Sequence, residues 1–301
     1  MPSLYAARAS NARYSPSRLP VAVFVGGTSG IGQAVAEAFA RYTKGNAHII
    51  ICGRNKSAAD KIIASFPQAT APEAKHEFVE CDATLMKNVF LTTSALLARL
   101  PKLNYLVLSP GIFTLRGRNE TTEGIDRKLA LHYYARWKFT NDLIPLLRKT
   151  KDAGEDAKVM SVLAPGNGSD IDLDDLGMRK SYTPLSSALV TPTYNDLMFE
   201  SFAEQQPDLS FIHIHPGVVR TPLLGSLVAF VLYPFMTPAS DCAEYMLYGL
   251  LDAGPGVHRR DNKGDNMGQK RYYGSDEARR RLWDHTVEEI DQALQSGAIS
   301  A

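Results

Sequence analysis

The stretch VAVFVGGTSGIGQAVAEAFARYT, residues 21–43, limits the folds open to this chain more than any other. A β-rich run over 21–27 passes without a spacer into glycine-punctuated residues. A helix-period segment over 31–43 follows, apolar at Ile31, Val35, Ala38 and Phe39. Gly26 permits a tight turn, Gly30 lets the backbone approach an anion, and Gly32 allows the helix to pack closely on the loop. The N–H groups at the start of the helix face that anion. The unit is therefore expected to hold the pyrophosphate of a dinucleotide through Gly26, Thr28, Ser29, Gly30, Ile31 and Gly32.

The same alternation continues along the chain. Further strands are expected over 48–53, 76–82, 103–111, 157–166 and 209–217, and helices over 57–66, 85–100, 125–149 and 193–206. Short apolar strands separated by helices predict an α/β fold of the Rossmann-like, doubly wound type, a parallel sheet covered on both faces. No repeat or flexible linker divides the series, so residues 20–301 read as a single domain behind a leader segment, 1–19. Residues 258–274 read as a polar surface loop, and the closing EEIDQALQSG as a short exposed helix.

Charge and composition narrow the partners. The 33 basic and 32 acidic side chains nearly cancel, which gives no field for nucleic acid and leaves a small or neutral ligand. Cys52, Cys81 and Cys242 are too far apart for a metal motif or a disulfide framework and read as buried, reduced thiols in a cytoplasmic protein. Arg8, Arg13 and Arg18 give the leader a presequence-like charge, but Pro2, Asn11 and Pro16 interrupt an amphipathic helix there. The longest apolar run, 223–236, is too short to span a bilayer. It is expected to start a helical region, about 223–250, that covers an apolar substrate.

Glycines at the first, fifth and seventh positions of GGTSGIG resemble the short-chain dehydrogenase/reductase family, and the likeness runs from about Val21 to Leu250. Asp82-Ala83 matches the segment that the family places on the adenine. Ser109-Pro110-Gly111 stands where the family has Asn-Ala-Gly, and the stretch from Pro216 to Thr221 is similar to its nicotinamide-side segment. Details of strands one and six look most like fungal members of small-molecule biosynthetic pathways. At the end of strand two this chain has Arg54 and Asn55 in place of an acid that would bind ribose hydroxyls. Both can bind a 2′-phosphate, so NADP is expected rather than NAD. The resemblance also implies a homodimer or homotetramer.

The family's chemistry uses a tyrosine, a lysine four residues later, a serine and often an asparagine. Carried over residue by residue, the tyrosine is matched by Tyr194, but the other three positions hold Met198, Ala164 and Leu131. His132 and Tyr133, beside Leu131, join Tyr194 as candidate catalytic groups. Tyr134 and Lys138 are spaced like the family couple but lie on the helix after strand four, where a solvent or subunit contact is expected. Asp170 and Asp172 read as solvated or capping acids, and His213 and His215 share a strand face without further ligands, so no metal is expected. Two functions follow as expectations. One is an NADP-dependent oxidoreductase acting on an apolar carbonyl or imine. The other is a nucleotide-binding protein without redox turnover, serving as a scaffold or a cyclase-like protein.

Overall fold

The computed structural model describes residues 2–221 and 236–296. Seven parallel strands form one sheet in the order β3-β2-β1-β4-β5-β6-β7. They are β1 (Val21–Val25), β2 (His48–Gly53), β3 (Lys75–Glu80), β4 (Tyr105–Leu108), β5 (Lys158–Val162), β6 (Ser210–Ile214) and β7 (Gly256–Arg260). Successive side chains point to opposite faces of a strand, so each central strand feeds two cores. Val21, Val23 and Val25 pack with α4 (Met86–Arg99), α6 (Ala135–Asp152) and α7 (Pro184–Gln205). Ala22 and Phe24 pack on the other face with α2 (Gly30–Tyr42), α3 (Lys56–Ala64) and α8 (Ala239–Asp252). Chain order reverses between β1 and β4, and a crevice opens there beyond the carboxyl ends of the strands.

The expected β/α series is present, with corrections at its ends. The polar segment expected as a surface loop begins inside β7, which pairs in parallel with β6. Its arginines disguise it because their charges are satisfied internally. Arg259 Nε donates to Asp196 Oδ2 at 2.9 Å, and Arg260 Nη1 donates to the Gly264 carbonyl at 2.7 Å. Helix α7 starts at Pro184, nine residues before the expected 193. Thr183 and Ser186 form a capping box there, with proline in the first turn. The closing helix, α9 (Asp276–Ser296), has 21 residues and buries Leu282, Thr286 and Ile290.

The leader contains a helix, α1 (Leu4–Asn11), laid on α8. Arg8 pairs with Asp241 at 2.8 Å, and Asn11 Nδ2 donates to the Glu244 carbonyl at 2.9 Å. Between β4 and α6 the chain forms α5 (Arg127–Leu129) and then a π-turn, Ala130–Tyr134. Tyr134 and Lys138 are buried rather than solvent-facing. The tyrosine hydroxyl meets His285 Nε2 at 2.8 Å, and Lys138 Nζ donates to both oxygens of Asp142. Among the described residues no helix is long and apolar enough to cross a membrane. The apolar run 223–236 lies outside the described residues except for Met236, which is buried.

Candidate functional site

The loop after β1 is shaped by close backbone approach. Gly26 has φ +78°, and a Cβ there would sit 2.7 Å from Pro110 N. A Cβ on Gly32 would lie 2.4 Å from the Gly26 carbonyl oxygen, so only glycine lets α2 start directly beneath the loop. Ser29 is the N-cap of α2 but makes no side-chain cap bond, which leaves the first-turn N–H groups open to an anion.

Around this loop the structure assembles Gly26, Thr28, Ser29, Gly30, Ile31, Arg54, Asp82, Ala83, Ser109, Gly111 and Thr221 on one cleft of about 350 Å³. Arg54 is exposed at the end of β2 and makes no ion pair among the described residues. Asp82 uses Oδ1 to accept from the backbone and hydroxyl of Thr84, at 3.0 and 2.9 Å. Three other expected contacts do not line the cleft. Gly32 lies packed under the loop, Asn55 is the N-cap of α3 through its bond from Ala58 N at 2.9 Å, and the Pro216 carbonyl takes the Cys242 thiol at 3.5 Å. The cleft also holds residues that sequence reasoning did not select: Cys52 and Cys81 on one side, Ile112 and Leu131 on the other.

None of the three candidate catalytic groups reaches the cleft wall. Tyr194 is 1% exposed and its hydroxyl donates to the Leu176 carbonyl at 3.0 Å. Burial, with Asp175 and Asp172 adding to it, raises its pKa well above that of a free phenol. Tyr133 turns toward α9, its hydroxyl 2.6 Å from Thr286 Oγ1. His132 is nearer, but its Nε2 already accepts from Ile112 N at 3.3 Å. Burial and the charges of Arg136 and Lys128 push the His132 pKa down to about 3, so the ring is neutral. The structure thus places the Tyr194 hydroxyl in a buried hydrogen bond off the cleft wall. A Tyr194→Phe variant should bind nicotinamide nucleotides unchanged in fluorescence titration, while losing about 1 kcal/mol of stability in denaturant unfolding.

The α7 side chain that reaches the end of β5 is Asn195, whereas Tyr194 and Met198 point into the packed core. Asn195 Nδ2 donates to the His132 carbonyl at 2.8 Å, within the π-turn, and its Oδ1 accepts from Ser161 Oγ at 2.7 Å. Thr191 spends its hydroxyl on the Ser187 carbonyl one turn back, at 3.0 Å. Met198 is packed in the core between α7 and its neighbours. Beyond β5, Ala164 offers only its backbone, which donates to His213 Nε2 at 3.2 Å. His213 Nδ1 therefore carries the ring proton and donates to Asp196 Oδ1 at 2.6 Å. Asp170 and Asp172 are exposed, and Asp172 caps its own turn through Asp174 N.

A parallel, doubly wound sheet with a glycine-loop cleft at the switch between β1 and β4 defines a Rossmann-type nucleotide fold. The family model for short chain dehydrogenases matches residues 20–165. The oxidoreductase AN1596 of Emericella nidulans is 31% identical, covering 98% of this chain and 99% of that protein. The oxidoreductase andH of Emericella variicolor is 34% identical, covering 82% and 74%. Among solved structures, the 3-ketoacyl-(acyl-carrier-protein) reductase of Brucella melitensis complexed with NADH aligns at a TM-score of 0.60. It is 21% identical, with 84% of this chain and 99% of that one covered. The chain belongs to the short-chain dehydrogenase/reductase family.

Proposed function

We propose that this protein is an NADP-dependent oxidoreductase acting on an apolar carbonyl or imine in fungal secondary metabolism. The observation that carries the cofactor assignment is Arg54, exposed on the cleft wall with no acid paired to it among the described residues. A guanidinium there suits a 2′-phosphate, whereas the ribose of NAD asks for a carboxylate. The first turn of α2 suits the pyrophosphate, and Asp82 and Ala83 suit the adenine end. Ser109, Gly111 and Thr221 remain for the nicotinamide end. A bound nicotinamide supplies a hydride donor or acceptor.

Ile112 and Leu131 give that end an apolar wall, and the neighbouring Phe113 and Leu115 are 53% and 79% exposed. These side chains support an apolar substrate, held by shape rather than by charge. With no phenol or imidazole on the wall among the described residues, the residues here orient and exclude water. Such positioning can carry a large share of a rate when the acceptor is already activated.

Arg54→Ala should weaken NADPH binding about tenfold or more, the worth of a charged hydrogen bond, and leave NADH binding unchanged. Loss of both in parallel would remove Arg54 from 2′-phosphate recognition. A second reading, nucleotide binding without redox turnover, is favoured by the placement of Tyr194, Tyr133 and His132 off the cleft wall. Titration with NADPH, followed by its absorbance loss over a panel of apolar ketones and imines, separates the two. Tight binding with no oxidation across the panel selects the second reading.

A further inference from the structure

Arg136, in the first turn of α6, is the largest fully buried side chain among the described residues, and it carries a charge with no acid beside it. Its five hydrogen bonds go to neutral groups only. Nε donates to the Leu131 carbonyl at 3.0 Å. Nη1 donates to the Leu108 and Val162 carbonyls at 3.2 and 2.9 Å and to Ser161 Oγ at 2.6 Å. Nη2 donates to the Pro110 carbonyl at 2.7 Å. The Ser161 hydroxyl donates to the amide oxygen of Asn195, not to a carboxylate.

The charged groups around it do not cancel this charge. Asp196, the next residue on α7, is committed to His213 and Arg259. His132 is neutral, and Lys128 donates its Nζ to the Pro184 carbonyl. Burial draws the Arg136 pKa down only to about 9, so the guanidinium stays charged near neutrality.

Two of the acceptors, Pro110 and Leu131, line the cleft itself. They lie at the end opposite Arg54 and Asp82, across the α2 N-terminus, where the nicotinamide half of a dinucleotide falls once the adenosine and pyrophosphate are assigned. The guanidinium therefore stands directly behind the nicotinamide wall, where little water screens it. Reduced and oxidised nicotinamide nucleotides differ there by one charge, because the oxidised ring is a cation and the reduced ring is neutral.

We propose that Arg136 makes the cleft discriminate by redox state, holding the reduced nicotinamide nucleotide more tightly than the oxidised one through an uncompensated buried charge behind the ring. This rests on the cofactor assignment above and adds a residue that the family couple does not include. Arg136 acts through the wall and is a positioning and electrostatic residue rather than a catalytic one. By linkage, the factor that separates the two affinities also draws the bound couple toward its reduced form.

The test is equilibrium titration of the full chain with NADPH and with NADP+ at fixed ionic strength. The wild-type protein should favour NADPH by roughly tenfold, the scale of two like charges in partly screened protein. In Arg136→Met the ratio should fall at least about fivefold. Arg136→Lys should retain most of it, and Ser161→Ala, which keeps the charge and deletes one acceptor, should leave it unchanged. Equal affinities in the wild-type protein overturn the proposal even if Arg136→Met does not fold. So does a parallel loss of both affinities in Arg136→Met, or a ratio that follows Ser161→Ala. Binding of neither form by the wild-type protein overturns this proposal together with the cofactor assignment, whereas equal binding leaves the assignment standing.

Discussion

A Gly32→Ala variant should lose nicotinamide-nucleotide affinity by about tenfold to a hundredfold, the range expected when one methyl is forced into packed backbone. The new Cβ would stand 2.4 Å from the Gly26 carbonyl oxygen, and neither atom can turn away as a side-chain tip could. Relief must come from tilting α2 or lifting the loop, and either moves the first-turn N–H groups off the anion they serve. Fluorescence titration with NADPH reads the loss directly, and a cooperative thermal transition shows that the fold has survived. Affinity unchanged from wild type would show that this loop does not place the pyrophosphate.

The second large effect is on stability. Asp196→Ala should cost about 3–5 kcal/mol in denaturant unfolding, the usual penalty for leaving a buried partner charge without its counter-ion. Asp196 accepts from His213 Nδ1 at 2.6 Å and Arg259 Nε at 2.9 Å, and those two residues are 0% and 4% exposed. Removing the carboxylate strands the guanidinium and frees the imidazole that anchors Ala164 N beyond β5. Asp196→Asn keeps the shape and an oxygen acceptor, so it should recover part of the loss. A change below about 1 kcal/mol in Asp196→Ala would mean that Arg259 is held by its three carbonyl partners, Gly268, Lys270 and Arg271, without the ion pair.

The centre of the sheet was legible because β1, β5 and β6 are buried along their whole length and so read as mainly apolar runs. Strand β7 escaped for the opposite reason. In GVHRR the residues that pack inward are arginines, and the carboxylate that Arg259 needs lies on α7, at Asp196. The glycine loop was legible because its backbone requirements are local, and Arg54 and Asp82 stand on the cleft that it opens.

The catalytic side was not legible, and α7 shows why. Residues Val190–Phe199 are all buried, so the helix has no polar stripe from which to read which face meets the strand ends. Tyr194 was selected by residue type, but the contacts that set the register belong to Asn195, with Ser161 and His132, 34 and 63 residues away. The π-turn at Ala130–Tyr134 adds a register shift that an assumed 3.6-residue period cannot anticipate.

That π-turn also bears on the order in which the molecule is finished. Tyr133 and Tyr134 close their hydrogen bonds on Thr286 and His285, 153 and 151 residues further along the chain. Pairings so distant pay a high loop-closure entropy and form late. On a ribosome, the glycine loop and its helix can assemble while more than half of the chain is still unsynthesised. The π-turn that carries Leu131 gains its Tyr133 and Tyr134 anchors only once α9 has emerged. The nucleotide end of the cleft is thus the early part of the protein and the nicotinamide end the late one, with α9 as the closing piece.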